Sequence, residues 1–94
     1  MSRFLHVVRT PRYDSDLIAT GQYIEQRNPA AAYDMVRLLE QQVDSLSDPN
    51  FPRRLGRVPG TLELVAHPNY IVLVTQTDTT ATALAVMHVA RQYP

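Results

Sequence analysis

The chain has 94 residues and no net formal charge at neutral pH, and 45% of its residues are hydrophobic. That length suits one domain spanning residues 1–94, and the hydrophobic content predicts a folded chain rather than a disordered one. The absence of cysteine excludes disulfides and thiolate metal sites, while three widely separated histidines argue against structural zinc.

The N-terminal residues and the hydropathy of the chain bear on its location. The segment MSRFLHVVRT lacks the long apolar stretch of a signal peptide, and no segment approaches the ~20 apolar residues that cross a bilayer. We therefore expect a cytoplasmic protein with no membrane contact. Nothing in the composition indicates a cofactor, and none is expected.

The charges are unevenly distributed along the chain. Residues 13–48 contain seven acidic residues against two arginines, a net charge of −5, so the remainder carries +5. All nine basic residues are arginine, whose planar fork can pair bidentately with carboxylate or phosphate. A genomic preference for arginine codons explains the absence of lysine equally well.

The first predicted elements are a short strand and a helix. The apolar run Phe4–Val8 (FLHVV) predicts the strand, and Thr10 followed by Pro11 is typical of a helix N-cap and first turn. This helix is predicted to end near Gln26, and a glycine within it would allow a second helix to approach closely. One side of the helix carries Tyr13, Leu17, Ile18, Gly21 and Ile24.

A second helix is predicted from Pro29 to Ser47, because Asn28-Pro29 repeats the combination of cap and proline. Two helices joined by so short a turn should form an antiparallel hairpin. The 3.6-residue period is kept by an apolar stripe of Ala32, Met35, Val36, Leu39, Val43 and Leu46.

The second half of the chain predicts a loop and three strands. Prolines and glycines make residues 48–60 loop-like, and strand-like runs follow at 61–66, 70–77 and 80–89. Short turns between these runs indicate an antiparallel meander. The predicted order is β-α-α-β-β-β, an α+β fold in which an N-terminal strand and a helical hairpin accompany a mostly antiparallel sheet.

Four segments, DLIATGQYIEQRNPAAA, LGRVPGTLELV, YIVLV and VMHVARQYP, follow one another along the chain. In this order and spacing they resemble the first helix and turn, the second strand, the third strand and the ending of the RelE/ParE superfamily, and most closely its ParE branch. The resemblance extends from about Thr10 to Pro94.

The resemblance implies that the chain is the toxin of a type II toxin–antitoxin pair. ParE-like toxins bind DNA gyrase and trap its cleaved-DNA state without catalysis of their own. A cognate antitoxin is the second implied partner and would form a hetero-oligomer, with an extended tail that lies in grooves beside the hairpin and pairs along the sheet. Direct sequence-specific binding of nucleic acid is not expected.

Two alternatives remain, a ribosome-dependent mRNA endonuclease of the RelE type and a non-toxic adaptor domain of the same fold. Metal-free RNA cleavage needs a base, an acid and cations for the developing charge. Leu62 occupies the position after Gly-Thr where the family often has a phosphate-holding arginine. Neutral net charge also gives little attraction to RNA. We therefore predict a binding inhibitor with no catalytic residues; an enzyme would be a metal-free ribonuclease using scattered candidates, namely Arg57, Glu63, His88, Arg91 and Tyr93.

The residues expected to bind the antitoxin or the target are basic or aromatic. Three arginines before the second predicted strand form a patch without acids, and a solvated loop or a binding surface explains them equally. We expect this patch to share one basic surface with the end of the last strand, and its replacement by alanine to leave the fold intact. Glu63 is predicted on a solvated strand face and His88 in a half-buried position. The binding set is Arg53, Arg54, Arg57, His88, Arg91 and Tyr93.

Overall fold

The computed structural model describes residues 3–91 and contains two helices packed on a five-stranded, mostly antiparallel sheet. This confirms the predicted α+β class. Neither helix in the described part of the chain is long and apolar enough to cross a membrane. In chain order the elements are β1 (His6–Arg9), α1 (Pro11–Glu25), α2 (Pro29–Asp44), β2 (Arg54–Leu55), β3 (Leu62–His67), β4 (Tyr70–Gln76) and β5 (Thr80–His88).

Both helices begin at the caps that the sequence predicts. The Thr10 hydroxyl accepts a hydrogen bond of 3.0 Å from the Tyr13 N–H, and Pro11 follows in the first turn. The Asn28 side chain accepts one of 3.1 Å from the Ala31 N–H. Each cap satisfies a backbone donor that the first helical turn leaves without an intrahelical partner.

The helices form the predicted hairpin, and a glycine lies at their closest approach. A Cβ added to Gly21 would lie 3.1 Å from Cγ2 of Val36 on α2, tighter than most Cβ contacts. The second helix ends earlier than predicted, at Asp44, and continues as a 3₁₀ turn over Ser45–Ser47. Tight final turns of this kind are common at helix ends.

One residue of the predicted α1 stripe lies outside the core. Ile18 is 61% exposed, whereas Tyr13 is fully buried and Leu17 and Ile24 pack against the core. Ile18 is turned by about 100° from Leu17 on the helix, which places it beyond the narrow face that the sheet covers. Its assignment to the buried side was wrong.

The strand order in the sheet is β1-β5-β4-β3-β2. The three strands of the second half form the predicted antiparallel meander, and β1 runs parallel to β5, from His6 opposite Thr80 to Arg9 opposite Ala83. The first strand therefore begins two residues later than Phe4–Val8 predicted. Leu5 is buried in the core instead, while Phe4 is 82% exposed.

The segment predicted as a loop contains the edge strand β2. Its two residues pair with β3, with Arg54 opposite Glu63 and Leu55 opposite Leu62. A strand this short leaves no alternating apolar pattern by which a sequence could predict it. Its pairing places the arginine-rich segment at the edge of the sheet.

An irregularity in β5 is stabilised by α1. The register between β4 and β5 shifts so that Leu73 faces Ala85 while Val74 faces Ala83, leaving Leu84 as an extra residue. The Thr10 hydroxyl donates to the Leu84 carbonyl at 2.7 Å, and the Val86 N–H donates to Asp16 of α1 at 3.0 Å. These bonds satisfy backbone groups around the bulge.

The core lies between the helical hairpin and one face of the sheet. Its helical side includes Leu39 and Val43 of α2, both with no exposed surface, and its sheet side includes Leu64, Val72 and Val74. Alternate strand residues therefore point toward the helices, as the two-residue period of a strand requires.

A polar cluster joins β1 to both helices at the edge of this core. The Tyr13 hydroxyl donates to Glu40 of α2 at 2.8 Å, and Arg9 donates through Nε to the same carboxylate oxygen at 3.3 Å. The second partner of Arg9 is Asp44, at 2.6 Å. Burial, reinforced by the bond to Glu40, raises the pKa of the Tyr13 phenol well above its ordinary value.

Replacing Leu39 tests the packing of α2 on the sheet. Because its side chain has no exposed surface, Leu39→Ala should lower the free energy of unfolding by about 2–5 kcal/mol. Leu55→Ala removes the same atoms from a residue that is 85% exposed and should change it by less than about 0.5 kcal/mol. Urea denaturation measures both, and equal effects of the two changes would contradict this packing.

Replacing Tyr13 tests the polar cluster. Tyr13→Phe removes a buried hydrogen bond to a carboxylate and should cost about 1–2 kcal/mol at pH 7. Because folding raises the phenol pKa, the protonated phenol stabilises the fold below pH ~10 and this contribution is lost as the pH rises further.

The pH dependence separates this cluster from ordinary surface tyrosines. Urea denaturation at pH 8 and above pH 10 should show a steeper loss of stability in the wild-type protein than in Tyr13→Phe. Tyr33→Phe, at a residue that is 64% exposed, should retain the wild-type pH profile. Identical profiles for wild type and Tyr13→Phe would rule out a raised phenol pKa.

Candidate binding surface

The predicted binding residues occupy two separate parts of the sheet. Leu62, the first residue of β3, pairs with Val74 of β4, and Val74 in turn pairs with Ala83 of β5. His88, the last residue of β5, pairs with Tyr70 of β4. His88 lies five residues beyond Ala83, which corresponds to about 16 Å along β5. The expected single basic surface is therefore wrong, because antiparallel pairing puts the start of β3 and the end of β5 at opposite ends of the sheet.

The Arg53 side chain stabilises its own loop through hydrogen bonds. Its Nε donates to the Phe51 carbonyl at 2.9 Å, and Nη1 donates to the Leu46 carbonyl and to Gln76 at 3.3 and 2.9 Å. Nη2 donates to the Asp48 carbonyl. Burial lowers the pKa of this guanidinium, which Asp48 partly opposes. These hydrogen bonds argue against the expectation that alanine at position 53 leaves the fold unaffected.

Glu63 is buried, not solvated as the sequence suggested. It is 1% exposed, and Arg54, its cross-strand neighbour, donates from Nε to Glu63 Oε1 at 2.9 Å. The other carboxylate oxygen accepts the Arg57 N–H at 3.0 Å. Alternation with Leu62 and Leu64 correctly places Glu63 on the face away from the helices, but β2 and its loop cover that position.

The loop between β2 and β3 is held close to the strand that follows it. The Gly56 N–H donates to the Thr61 carbonyl at 2.9 Å, and a Cβ at Gly56 would lie 2.8 Å from that backbone carbonyl oxygen and would also clash with the Thr61 hydroxyl. Only glycine fits so close an approach. The loop is thus fixed against β3 at Gly56 and again where Arg57 meets Glu63.

A hollow of about 240 Å³ opens beside this pair, and we name it the β2 hollow. Val65, 47% exposed, gives it an apolar wall, and the Arg54 side chain is 55% exposed at its edge. The guanidinium groups of Arg53 and Arg54 and the carboxylate of Glu63 supply its charges. The β2 hollow is lined by Pro52, Arg53, Arg54, Glu63 and Val65.

Two C-terminal members of the predicted set, His88 and Arg91, contact the core and α1 respectively. His88 is half-buried, as predicted, with its ring edge-on to Tyr70 at 5.0 Å between centroids. Arg91 is exposed and its guanidinium lies 4.1 Å from the centroid of the Tyr23 ring on α1, a cation–π contact. Tyr93 lies outside the described residues.

Glu63 and His88 do not form a joint acid–base site. His88 faces Tyr70, which belongs to the core under the helices, whereas Glu63 points to the opposite face of the sheet. Two strand spacings and three residues also separate their backbones by roughly 14 Å. Residues 3–91 contain no group of three or more acidic or histidine side chains that could hold a metal ion.

Sequence reasoning missed the burial of Glu63 because it missed β2. One signal was present: Arg54-Leu55 and Leu62-Glu63 flank a segment containing two glycines and a proline. In a hairpin this order sets leucine opposite leucine and arginine opposite glutamate. Complementary pairs on either side of a turn segment could have predicted both the strand and the ion pair.

The chain was compared with known families and structures. The model of the family described as "ParE toxin of type II toxin-antitoxin system, parDE" matches residues 7–93. A solved structure described as the chromosomal ParDE TA system from P. aeruginosa is similar, with a TM-score of 0.80 and 18% identity over 90% of this chain and 96% of that one. No curated protein matches the chain in sequence.

Two further solved structures have the same fold. The E. coli DinJ–YafQ toxin–antitoxin complex gives a TM-score of 0.62 at 17% identity, covering 92% of this chain and 93% of that one. The YoeB dimer from Staphylococcus aureus gives 0.56 at 13% identity, covering 89% and 95%. At such low identities these likenesses establish the architecture alone.

Replacing Arg53 tests its structural role. Arg53→Ala leaves the Leu46, Asp48 and Phe51 carbonyls without this donor and should lower the free energy of unfolding by about 1–3 kcal/mol. Arg27→Ala, at an exposed arginine after α1, is the matched control and should stay within about 0.5 kcal/mol of wild type. Chemical denaturation measures the free energy of unfolding of wild type and both variants. If Arg53→Ala is as stable as Arg27→Ala, the Arg53 side chain has no structural role.

Proposed function

The chain belongs to the ParE toxin family of type II toxin–antitoxin systems, and from that premise we propose that it binds and inhibits DNA gyrase without catalysis. A cognate antitoxin neutralises it in a hetero-oligomeric complex. Both partners are met in the cytoplasm. Its activity is then one of recognition, in which a small stable domain holds a larger enzyme in an unproductive state.

The placement of Glu63 and His88 on opposite faces of the sheet carries the proposal that the chain does not cleave RNA. General acid–base cleavage requires two groups within hydrogen-bond reach of one substrate. Glu63 is also buried and shared between Arg54 and Arg57, so it is poorly placed to take a proton from a ribose hydroxyl. Leu62 supplies no cation on β3.

The arrangement of charge supports binding to a protein rather than to exposed RNA. Arg53 is engaged by acceptors of the fold, and the formal net charge of the chain is zero. A ligand bound mainly through its phosphates needs a net positive surface. Arginine beside exposed apolar side chains, as at Arg54 and Val65, is typical of protein interfaces.

Two features support an antitoxin as the second partner. Within residues 3–91, β1 lies at the edge of the sheet and pairs only with β5, so the other side of its backbone can pair with an added strand. A groove of about 240 Å³ between the helices offers an apolar floor at Gly21, Ala32 and Val36. The P. aeruginosa and E. coli relatives in fold are described as parts of toxin–antitoxin systems, which agrees with this proposal.

Purified components separate a gyrase inhibitor from a ribonuclease. We expect the chain to inhibit supercoiling by gyrase and to accumulate cleaved DNA, and the antitoxin encoded beside its gene to abolish both effects. Ribosome-bound mRNA should stay intact. In cells, induction should halt DNA synthesis and start the SOS response before translation falls.

His88 provides the decisive variant for the alternative. We expect His88→Ala to reduce gyrase inhibition far less than the roughly 10²- to 10⁴-fold loss that removal of a general acid or base causes, because His88 would contribute contacts and no chemistry at the target. Cleavage of ribosomal mRNA that disappears in His88→Ala would replace the proposal by a RelE-type endonuclease. If induction leaves growth normal and neither gyrase nor ribosome-bound mRNA is affected, the chain is a non-toxic adaptor domain.

A further inference from the structure

The buried carboxylate of Glu63 has an orientation fixed from two sides. Oε1 accepts from Arg54 Nε at 2.9 Å and Oε2 accepts from the Arg57 N–H at 3.0 Å. The first bond comes from a cross-strand neighbour in β2 and the second from the backbone of the loop that Gly56 holds against Thr61. The carboxylate is therefore held in one orientation, by a side-chain donor on one oxygen and a backbone donor on the other.

Arg54 receives its orientation from this carboxylate. Within residues 3–91 its guanidinium donates through Nε, on the side of Glu63, and the side chain is 55% exposed. A planar guanidinium held at Nε presents its two terminal Nη groups in a fixed direction, here at the edge of the β2 hollow. The conformational freedom that an arginine ordinarily loses on binding is already lost in the free protein.

The chemistry around Arg54 selects the ligand. A carboxylate matches the paired terminal nitrogens of a guanidinium bidentately. A phosphate matches them as well, but Arg53, the other cation of the hollow, is already bonded to the Leu46, Asp48 and Phe51 carbonyls and to Gln76, and Pro52 and Val65 are apolar. A polyanion gains little at such a site, whereas an aspartate or glutamate flanked by apolar groups complements it.

We propose that Glu63 is a positioning residue that holds Arg54 as a preformed anchor for a carboxylate side chain of the gyrase protein. This inference rests on the proposed function. The β2 hollow lies at the edge of the sheet opposite β1, four strand spacings or about 19 Å away. It is thus separate from the strand edge proposed for the antitoxin, and binding of the two partners can be changed independently.

The test measures affinity for gyrase and for the antitoxin by calorimetry with four variants. We expect Arg54→Ala to weaken gyrase binding about 30-fold, as at interface hot spots. Arg54→Lys should weaken it nearly as much, because lysine keeps the charge and loses the fork. Glu63→Gln should weaken gyrase binding about tenfold. The double variant Glu63→Gln, Arg54→Ala should bind gyrase as weakly as Arg54→Ala alone, since Glu63 acts through Arg54. Antitoxin affinity should stay within twofold throughout.

Stability controls accompany these affinities, because Arg54→Ala leaves a buried carboxylate with fewer partners. Each protein is measured below its thermal midpoint with its folded fraction confirmed by circular dichroism. Arg54→Lys and the double variant keep the test valid where a single alanine unfolds the chain. Arg27→Ala, an exposed arginine after α1, is the control expected to bind gyrase as wild type does.

Four outcomes overturn the inference and can be told apart. Gyrase binding that Arg54→Ala and Arg54→Lys leave unchanged removes the anchor but keeps the proposed function. Additive losses in Glu63→Gln and Arg54→Ala show that Glu63 acts independently of Arg54. A loss seen only when DNA is present assigns Arg54 to a phosphate. A wild-type chain that does not bind gyrase at all rejects the proposed function itself.

Discussion

One face of the sheet is apolar, and the amphipathic helical hairpin buries it. Leu39 and Val43 of α2 are fully buried in one core cluster with alternate residues of β3, β4 and β5. This packing determines which face of the sheet each strand side chain occupies. It sends Glu63 and Val65 to the opposite face because strand side chains alternate. It also brings Tyr13 against Glu40 and so fixes β1 beside both helices.

Three arginines that are close in sequence have different roles because the chain turns between them. Arg53 satisfies carbonyls at the end of the helical region, Arg54 pairs with a buried carboxylate in β2, and Arg57 contributes its backbone N–H to the same carboxylate. Arg53 uses four of the five N–H donors of its guanidinium within the fold and is a structural group. A guanidinium held at a single nitrogen remains available to a partner, so clustering of charge in sequence is a poor measure of a binding surface.

The sequence was sufficient for the features that local chemistry determines. Caps at Thr10 and Asn28, the stripe on α2 and the meander all followed from short-range patterns. What it missed depended on partners distant in the chain. The limits of β1 are set by Thr80, and the burial of Glu63 by a two-residue strand. The separation of the basic residues into two ends of the sheet likewise follows from register, which periodicity does not encode.

The parallel pairing of β1 with β5 has a consequence for how the chain is made. His6 and its partner Thr80 are 74 positions apart, and such distant contacts form late because a long loop must close first. During synthesis the helical hairpin can form early, but the sheet closes only when the last strand exists. A chain that stops before β5 can still form the hairpin, but the face of α1 that packs on β5 is left without a cover. Truncation therefore yields an aggregation-prone product rather than a partly active protein.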